Sequence, residues 1–458
     1  MIRRPPRSTQ SRSSAASDVY KRQGYIGAVI GAVLSNSGNK VVAIDTNKKS
    51  IENLNKGLCD IPEPALKNLV KKGVENGTLS GTLDYDSISS SEVILVTVGT
   101  PLSDQFNADL SAIRSVFFNL AKNVKSGQIV MVKSTVPPGV TRQMALEFFG
   151  ERDDIYVGFS PERLAEGNAI SEFNSLPIVV GGVNDSSTDK CAEFWKKVLD
   201  VEVLKVSSSE AAELVKLADN QWIDLNIALA HELAILCDSL PYNIDILEVI
   251  KGANTLKKGE HYVNILTPSI GVGGYCLTKD PWFLSALALS NKVEINLPKY
   301  GRKANDKMPF YVASSVNEFL SEKYISHTKV KIAILGYSFK SNSGDVRFTP
   351  MRVFIKALFD LGYTNVHVYD PTVSLDSIDD QRVNYELSWE KCLSDASCVV
   401  YGASHDEIKK ITTTQLSKLM KSGGLVYDGR RYFNKPEIDE LLKHGFHYSG
   451  VGRTFNIN

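Results

Sequence analysis

Gly24-Tyr25-Ile26-Gly27 followed by Val41-Val-Ala-Ile-Asp45 decides how the first half of this chain folds. Two glycines three positions apart open an apolar helical pattern that runs to about Ser37, and Gly38 supplies the stop. Val41 to Ile44 then reads as a buried strand, and Asp45 closes it 21 residues after Gly24. A helix N-terminus built of small residues offers backbone N–H groups to a pyrophosphate, and a carboxylate at this spacing suits the adenosine ribose hydroxyls. Such a carboxylate repels a 2′-phosphate, so the cofactor expected is NAD and not NADP. The fingerprint is incomplete. The pattern GxGxxG asks for glycine at position 22, where Arg22 stands, and the preceding Asp18-Val-Tyr-Lys is no apolar strand.

Further strands follow the same logic. Glu92-Val-Ile-Leu-Val-Thr-Val-Gly99 and Gln128-Ile-Val-Met-Val-Lys133 are apolar on both faces, as parallel strands covered by helices are. Tyr156-Val-Gly-Phe and Pro177-Ile-Val-Val-Gly181 are read as continuing that parallel set. From Ser209 to about Leu240 no Gly or Pro interrupts a helical pattern. About 30 residues make a helix of about 45 Å, long enough to span domains or build a subunit interface. A second α/β region begins near Lys329 with strands at 331–336, 366–370, 398–402 and 424–428. Val366 to Asp370 parallels Val41 to Asp45. The expected fold is α/β: two Rossmann-like doubly wound domains joined by a long central helix and a helical middle domain. The boundaries expected are a leader at 1–23, an NAD-binding domain at 24–206 lacking its first strand, a central domain at 207–320 and a C-terminal domain at 321–458.

Composition excludes several functions. The 458 residues hold 52 Lys+Arg and 52 Asp+Glu, a zero formal charge that speaks against nucleic-acid binding. No run of five like charges offers a membrane patch, and no apolar run reaches the length of a membrane span. The six cysteines are scattered without a CxxC pair, which fits a reducing compartment and neither a disulfide framework nor a structural zinc. His444-Gly-Phe-His447, the one close histidine pair, reads as a surface turn, and no metal is expected. Residues 1–23 are rich in Arg and Ser and show no periodicity. A signal peptide and a transit peptide both fit loosely, but the segment looks more like a translated sequencing adapter fused to a truncated coding sequence.

Cys276 stands apart from the other cysteines because it lies in a glycine-rich loop, Gly271-Val-Gly-Gly-Tyr-Cys276-Leu-Thr-Lys-Asp280. Glycines admit a substrate close to the backbone, Lys279 is placed to lower a thiol pKa, and Asp280 is placed to act as a base.

With this loop the chain resembles the UDP-glucose/GDP-mannose dehydrogenase family of nucleotide-sugar 6-dehydrogenases from Gly24 to about Arg453. The resemblance rests on ordered motifs. They are Gly24-Tyr-Ile-Gly27, Val98-Gly-Thr-Pro101, Lys133-Ser-Thr-Val-Pro-Pro-Gly139, Ser160-Pro-Glu-Arg-Leu-Ala-Glu-Gly167, Glu213-Leu-Val-Lys-Leu-Ala-Asp-Asn220, the Cys276 loop and Gly344-Asp-Val-Arg347. It implies a four-electron oxidation of a C6 alcohol to the acid with two NAD, through a thiohemiacetal and a thioester on Cys276. It implies that Lys216 and Asn220, four apart on one helix face, stabilise oxyanions, and that Asp280 and Thr135 position water. Glu162 and Glu166 would flank the substrate, with Glu162 a base for hydrolysis and Arg163 and Leu164 beside them. Tyr25, Ile26, Val98, Thr100 and Thr135 would line the NAD site together with Gly24, Gly27 and Asp45. Gly273 and Gly274 would offer backbone to the UDP-sugar, and Lys340 and Arg453 are candidate UDP contacts.

Tyr262-Val-Asn-Ile-Leu266, Val272 to Cys276, Asp280-Pro-Trp-Phe-Leu284 and Ala304-Asn-Asp-Lys-Met-Pro309 resemble the UDP-N-acetylhexosamine branch. Lys279 instead resembles the UDP-glucose branch, and Tyr262 and Tyr275 stand where the acetylhexosamine branch has Arg and His. UDP-N-acetylmannosamine or UDP-N-acetylglucosamine is favoured, with UDP-glucose the alternative. A nucleotide-sugar-binding protein without turnover, motivated by the damaged fingerprint, and an exported protein are the competing classes. The resemblance further implies a cytoplasmic homodimer or higher homo-oligomer through the central helix, in surface-polysaccharide synthesis.

Overall fold

In the computed structural model, residues 24–454 are described, apart from Pro62, Gln105 and Ile325. The expectations that fall on residues 1–23, including a missing first strand, lie outside the described residues. Two compact units result, Met1–Asp219 with Trp282–Glu294, and Asn220–Pro281 with Ile295–Asn458.

In the first unit, a helix at Tyr25–Asn36 leads to β1 (Val41–Ile44), which pairs in parallel with β2 (Leu79–Thr82). A five-stranded sheet runs β3 (Val93–Val96), β4 (Ile129–Val132), β5 (Tyr156–Phe159), β6 (Ile178–Gly182) and β7 (Val203–Lys205). The strands β3, β4 and β5 are parallel and almost wholly buried, as their unbroken apolar runs require. The strand β6 departs from the expected parallel set, pairing antiparallel with β5 through Gly158↔Gly182 and Phe159↔Gly181. Glycine permits this junction. A Cβ on Gly181 would lie 2.0 Å from the Ser208 carbonyl oxygen, and one on Gly182 would lie 2.4 Å from the Thr188 nitrogen. The pattern of Ile178 to Val180 carries only burial, not direction, so the sequence could not show the reversal.

The long helix is present at Ser209–Ser239, as the uninterrupted periodicity predicts. A second long helix at Leu297–Lys323 was not legible, because Gly301 and Pro309 break its pattern. Packing overrides both signals: a Cβ on Gly301 would touch Leu225 at 2.8 Å, and Pro309 is buried against Gly271.

The second unit holds a short antiparallel pair, β8 (Lys257–Lys258) with β9 (His261–Tyr262), and a six-stranded, all-parallel sheet in the order β12-β11-β10-β13-β14-β15. The strands are β10 (Lys331–Leu335), β11 (Asn365–Tyr369), β12 (Asn384–Tyr385), β13 (Cys398–Tyr401), β14 (Leu425–Asp428) and β15 (His447–Gly450). Renumbered from its own first strand, that order is 3-2-1-4-5-6, the order of a dinucleotide-type Rossmann sheet. One apolar core lies on each face of this sheet. His447 begins β15, so the His444–His447 pair is a helix end and a strand start. Among the described residues no three His, Cys, Asp or Glu side chains gather as metal ligands, and no helix is long and apolar enough to cross a membrane.

Candidate active site

The expected residues of the first unit collect at the carboxyl ends of its parallel strands, where open α/β sheets bind ligands. Gly24 caps the Tyr25–Asn36 helix without a side-chain cap, and no acidic residue stands in the first turn. That end suits a pyrophosphate. Asp45 follows β1, with Oδ1 accepting from the Asn47 N–H at 2.9 Å. Val98 and Thr100 follow β3 and are each 3% exposed; Thr100 Oγ1 donates to the Thr135 carbonyl at 2.5 Å, joining the loops after β3 and β4. Ile26 is half-buried against the apolar packing of the same helix.

Tyr25 has a further role. Its buried hydroxyl donates to Glu63, whose carboxylate also accepts from the Gly167 N–H at 2.6 Å and the Ile170 N–H at 3.3 Å. Burial, reinforced by Glu63, holds the phenol well above its usual pKa. The turn at Gly24–Gly27 is thus tied to the segment that carries Glu162 and Glu166.

Glu162 is 9% exposed, and Oε1 accepts from the Leu164 N–H at 2.6 Å. Arg163 donates to the Pro177 carbonyl, and Glu166 is half-buried. Lys133, given no role by the sequence, is buried beside them. Its Nζ donates to the Ser160 carbonyl at 3.2 Å and lies 5.1 Å from the Trp195 ring centre. Burial pushes the Lys133 pKa down; Glu162 opposes this, while Arg163 and Lys216 add to it. Lys216 itself is 8% exposed. Lys133, Glu162, Arg163 and Lys216 therefore share one electrostatic environment. Glu213, fully buried, accepts from the Gly139 N–H at 2.6 Å and the Thr141 N–H at 2.8 Å. It caps the Val140–Phe149 helix, whose own N-cap residue is a glycine with φ of +98°.

The thiol loop belongs to the second unit. Cys276 is exposed, whereas Cys191, Cys237, Cys392 and Cys398 are buried and Cys59 is half-buried. Burial raises the pKa of each of those four buried thiols. The Cys276 carbonyl accepts from the Lys279 N–H at 3.1 Å and the Asp280 N–H at 2.9 Å, so the thiol sits on a tight turn. Asp280 is fully buried, and its two oxygens accept from Lys279 Nζ and Asn220 Nδ2. The Lys279 charge is thus paired with Asp280, which weakens its pull on the thiol. The same pairing suits Asp280 to hold Asn220 more than to act as a free base. Gly273 and Gly274 are required by packing: a Cβ on Gly273 would lie 2.5 Å from Phe339 Cβ, and one on Gly274, at φ +89°, 2.8 Å from the Phe339 ring. The Tyr275 ring lies 6.2 Å from that of Phe348.

The C-terminal sheet reuses the Rossmann pattern differently. Asp370, the counterpart of Asp45, is 1% exposed and accepts from the N–H groups of Tyr337, Ser338 and Thr372 at 2.8–2.9 Å. His405 Nδ1 accepts from the Asn342 N–H, so the ring proton sits on Nε2, 3.1 Å from Asp370 Oδ2. Burial alone would raise the Asp370 pKa; His405 and the backbone donors bring it down to about 2. This carboxylate holds the loop after β10 and is not presented to a ribose. Lys340 lies half-buried in that loop. Arg453 is 4% exposed and bonded to Asp245 at 3.0 Å and to the Phe433 carbonyl at 3.1 Å, inside a carboxylate cluster where a phosphate would have to compete.

Two nucleotide-type sheets with a thiol on a glycine turn define a nucleotide-dependent oxidoreductase. The UDP-glucose/GDP-mannose dehydrogenase family matches with its NAD binding domain over residues 22–199, its central domain over 210–307 and its UDP binding domain over 333–435. A UDP-N-acetyl-D-mannosamine dehydrogenase of Pyrococcus horikoshii is 31% identical over 436 residues, 94% of this chain and 97% of that one. One from Methanococcus maripaludis is 33% identical over 86% of this chain and 88% of its own. The solved structure of a UDP-N-acetylmannosamine dehydrogenase from Pyrococcus horikoshii superposes with a TM-score of 0.84 at 30% identity, covering 94% of this chain and 97% of that one. The chain belongs to the UDP-glucose/GDP-mannose dehydrogenase family and is an NAD-dependent oxidoreductase of UDP-sugars.

Proposed function

We propose that the protein oxidises the C6 hydroxyl of a UDP-N-acetylhexosamine, UDP-N-acetylmannosamine foremost, to the uronic acid. The relatives named above act on that sugar nucleotide, and the Cys276 turn carries the reading. Gly24–Gly27, Asp45, Val98, Thr100 and Thr135 would hold NAD, which would supply the hydride acceptor for both oxidations. Overall, one alcohol, one water and two NAD+ give one carboxylate, two NADH and three protons.

The chain's own residues divide the remaining work. Cys276 adds as thiolate to the aldehyde carbon, and the resulting thiohemiacetal becomes a thioester on losing its hydride. Asn220, fixed by Asp280, donates to the oxyanion, and Lys216 adds its charge there. Glu162 takes a proton from the water that releases the acid, with Thr135 and Asp280 ordering that water and Glu166, Arg163 and Leu164 beside the sugar. Gly273 and Gly274 give close backbone approach, and Lys340 faces the UDP.

Trp222, Leu229 and Leu236 recur every seven residues on the long helix and are 50%, 47% and 51% exposed, which supports a homodimer through that face. A uronic-acid product suits a role in surface-polysaccharide synthesis, and the cytoplasm is where UDP-sugars and NAD are found. The test is kcat/KM on UDP-N-acetylmannosamine, UDP-N-acetylglucosamine and UDP-glucose. Preference for an N-acetylated sugar is expected; preference for UDP-glucose overturns the substrate assignment.

A further inference from the structure

Beneath the thiol loop lies a polar cluster with no part in the roles above. His231 on the Ser209–Ser239 helix is fully buried. Its Nε2 accepts from the Ser269 N–H at 3.1 Å, so Nδ1 carries the proton and donates to Asn305 Oδ1 at 2.9 Å. Burial pushes the ring's pKa down to about 4, keeping it neutral at pH 7. The Asn305 amide nitrogen donates to the carbonyl and to Oδ1 of Asp224, at 2.9 and 2.8 Å. Arg302 Nη1 donates to Asp224 Oδ1 at 2.6 Å and to the Leu277 carbonyl at 3.3 Å. All four residues are at most 1% exposed.

The pairs are spaced for this. Asp224 and His231 are seven apart on one helix, and Arg302 and Asn305 are three apart on the Leu297–Lys323 helix. Apolar side chains would join two helices at lower cost than a buried ion pair with its hydrogen bonds. What the polar cluster adds is direction: it fixes two backbone groups of the loop, Ser269 before the glycines and Leu277 directly after Cys276. The Ser269 hydroxyl extends the hold by donating to the Gly271 carbonyl at 2.9 Å.

We propose that His231, Asn305, Asp224 and Arg302 are positioning residues that set the 269–277 backbone and, through it, the place of the Cys276 sulfur. This rests on the reading of Cys276 as nucleophile. The experiment uses the full chain with His231→Phe, His231→Gln and Cys276→Ser. Steady-state rates are measured with UDP-N-acetylmannosamine and NAD, and iodoacetamide labelling of Cys276 is followed by peptide mass mapping without substrate. His231→Phe is expected to lower kcat by about 100-fold, as loss of placement does, with KM for NAD within about twofold. Its Cys276 labelling rate shifts by about threefold or more. Gln can accept from Ser269 and donate to Asn305, so His231→Gln recovers most of kcat. Wild-type kcat and labelling in His231→Phe, or His231→Gln impaired as badly as His231→Phe, overturns the proposal. Should His231→Phe not fold, His231→Met carries the same readouts. Full acid formation by Cys276→Ser would sink the nucleophile reading instead, and the labelling rate then judges the positioning role alone.

Discussion

Glu213 gives a pH signature that its geometry makes specific. It is fully buried, and desolvation raises its carboxyl pKa from 4.5 to about 7, against the pull of the Gly139 and Thr141 N–H groups. The native state then holds the proton more tightly than the unfolded chain. Stability from this group is fully present below pH 4.5 and is lost as pH rises through about 7. The shift of about 2.5 units corresponds to about 3 kcal/mol. Glu213→Gln cannot ionise. It pays a constant penalty of about 1–3 kcal/mol, because an amide NH2 faces one of the two N–H donors. The slope with pH is therefore the test, not the intercept. For a unit of this size 1 kcal/mol moves Tm by about 2–4 °C. Thermal unfolding of both proteins from pH 4.5 to 8 should show the Tm of Glu213→Gln gaining roughly 6–12 °C on wild type. A difference that stays flat across that range refutes the reasoning and means the helix N-terminus keeps the carboxylate ionised throughout.

Other outcomes follow from the same contacts. Asp370→Asn should remove an acid-labile contribution: wild type loses about 2 kcal/mol as pH falls from about 4 toward 2, and the variant's acid unfolding curve by circular dichroism should lack that component. Gly336→Ala places a Cβ 2.5 Å from the Ala403 nitrogen at φ +92°, so denaturant unfolding should show a loss above about 2 kcal/mol. Arg302→Met strands the buried Asp224 and should cost about 3 kcal/mol or more, with Arg302→Met/Asp224→Leu recovering a large part of it in the same assay.

Legibility in the sequence followed locality. The Tyr25–Asn36 helix, the strands at 93–96 and 129–132 and the Ser209–Ser239 helix were readable because period and punctuation lie within each segment. The Cys276 loop was readable from its glycines, although the structure shows that Phe339 demands Gly273 and Gly274. Asp45 and Asp370 look alike because each directly follows a strand; His405, 35 residues after Asp370, makes the difference and leaves no local trace. Arg453, a candidate UDP contact by sequence, is paired with Asp245, 208 residues earlier, and that partner is invisible in local pattern. Glu63, Lys133 and Glu213 acquire their roles from partners on other elements, and only the last two lay inside recognised motifs.

The most direct test of the central claim is the number of NADH formed per UDP-N-acetylmannosamine consumed, by wild type and by Cys276→Ala. Wild type should yield two NADH and the acid, while the variant stops short of the acid because the second oxidation needs the sulfur. One NADH per sugar from wild type, or two NADH and free acid from Cys276→Ala, would contradict it.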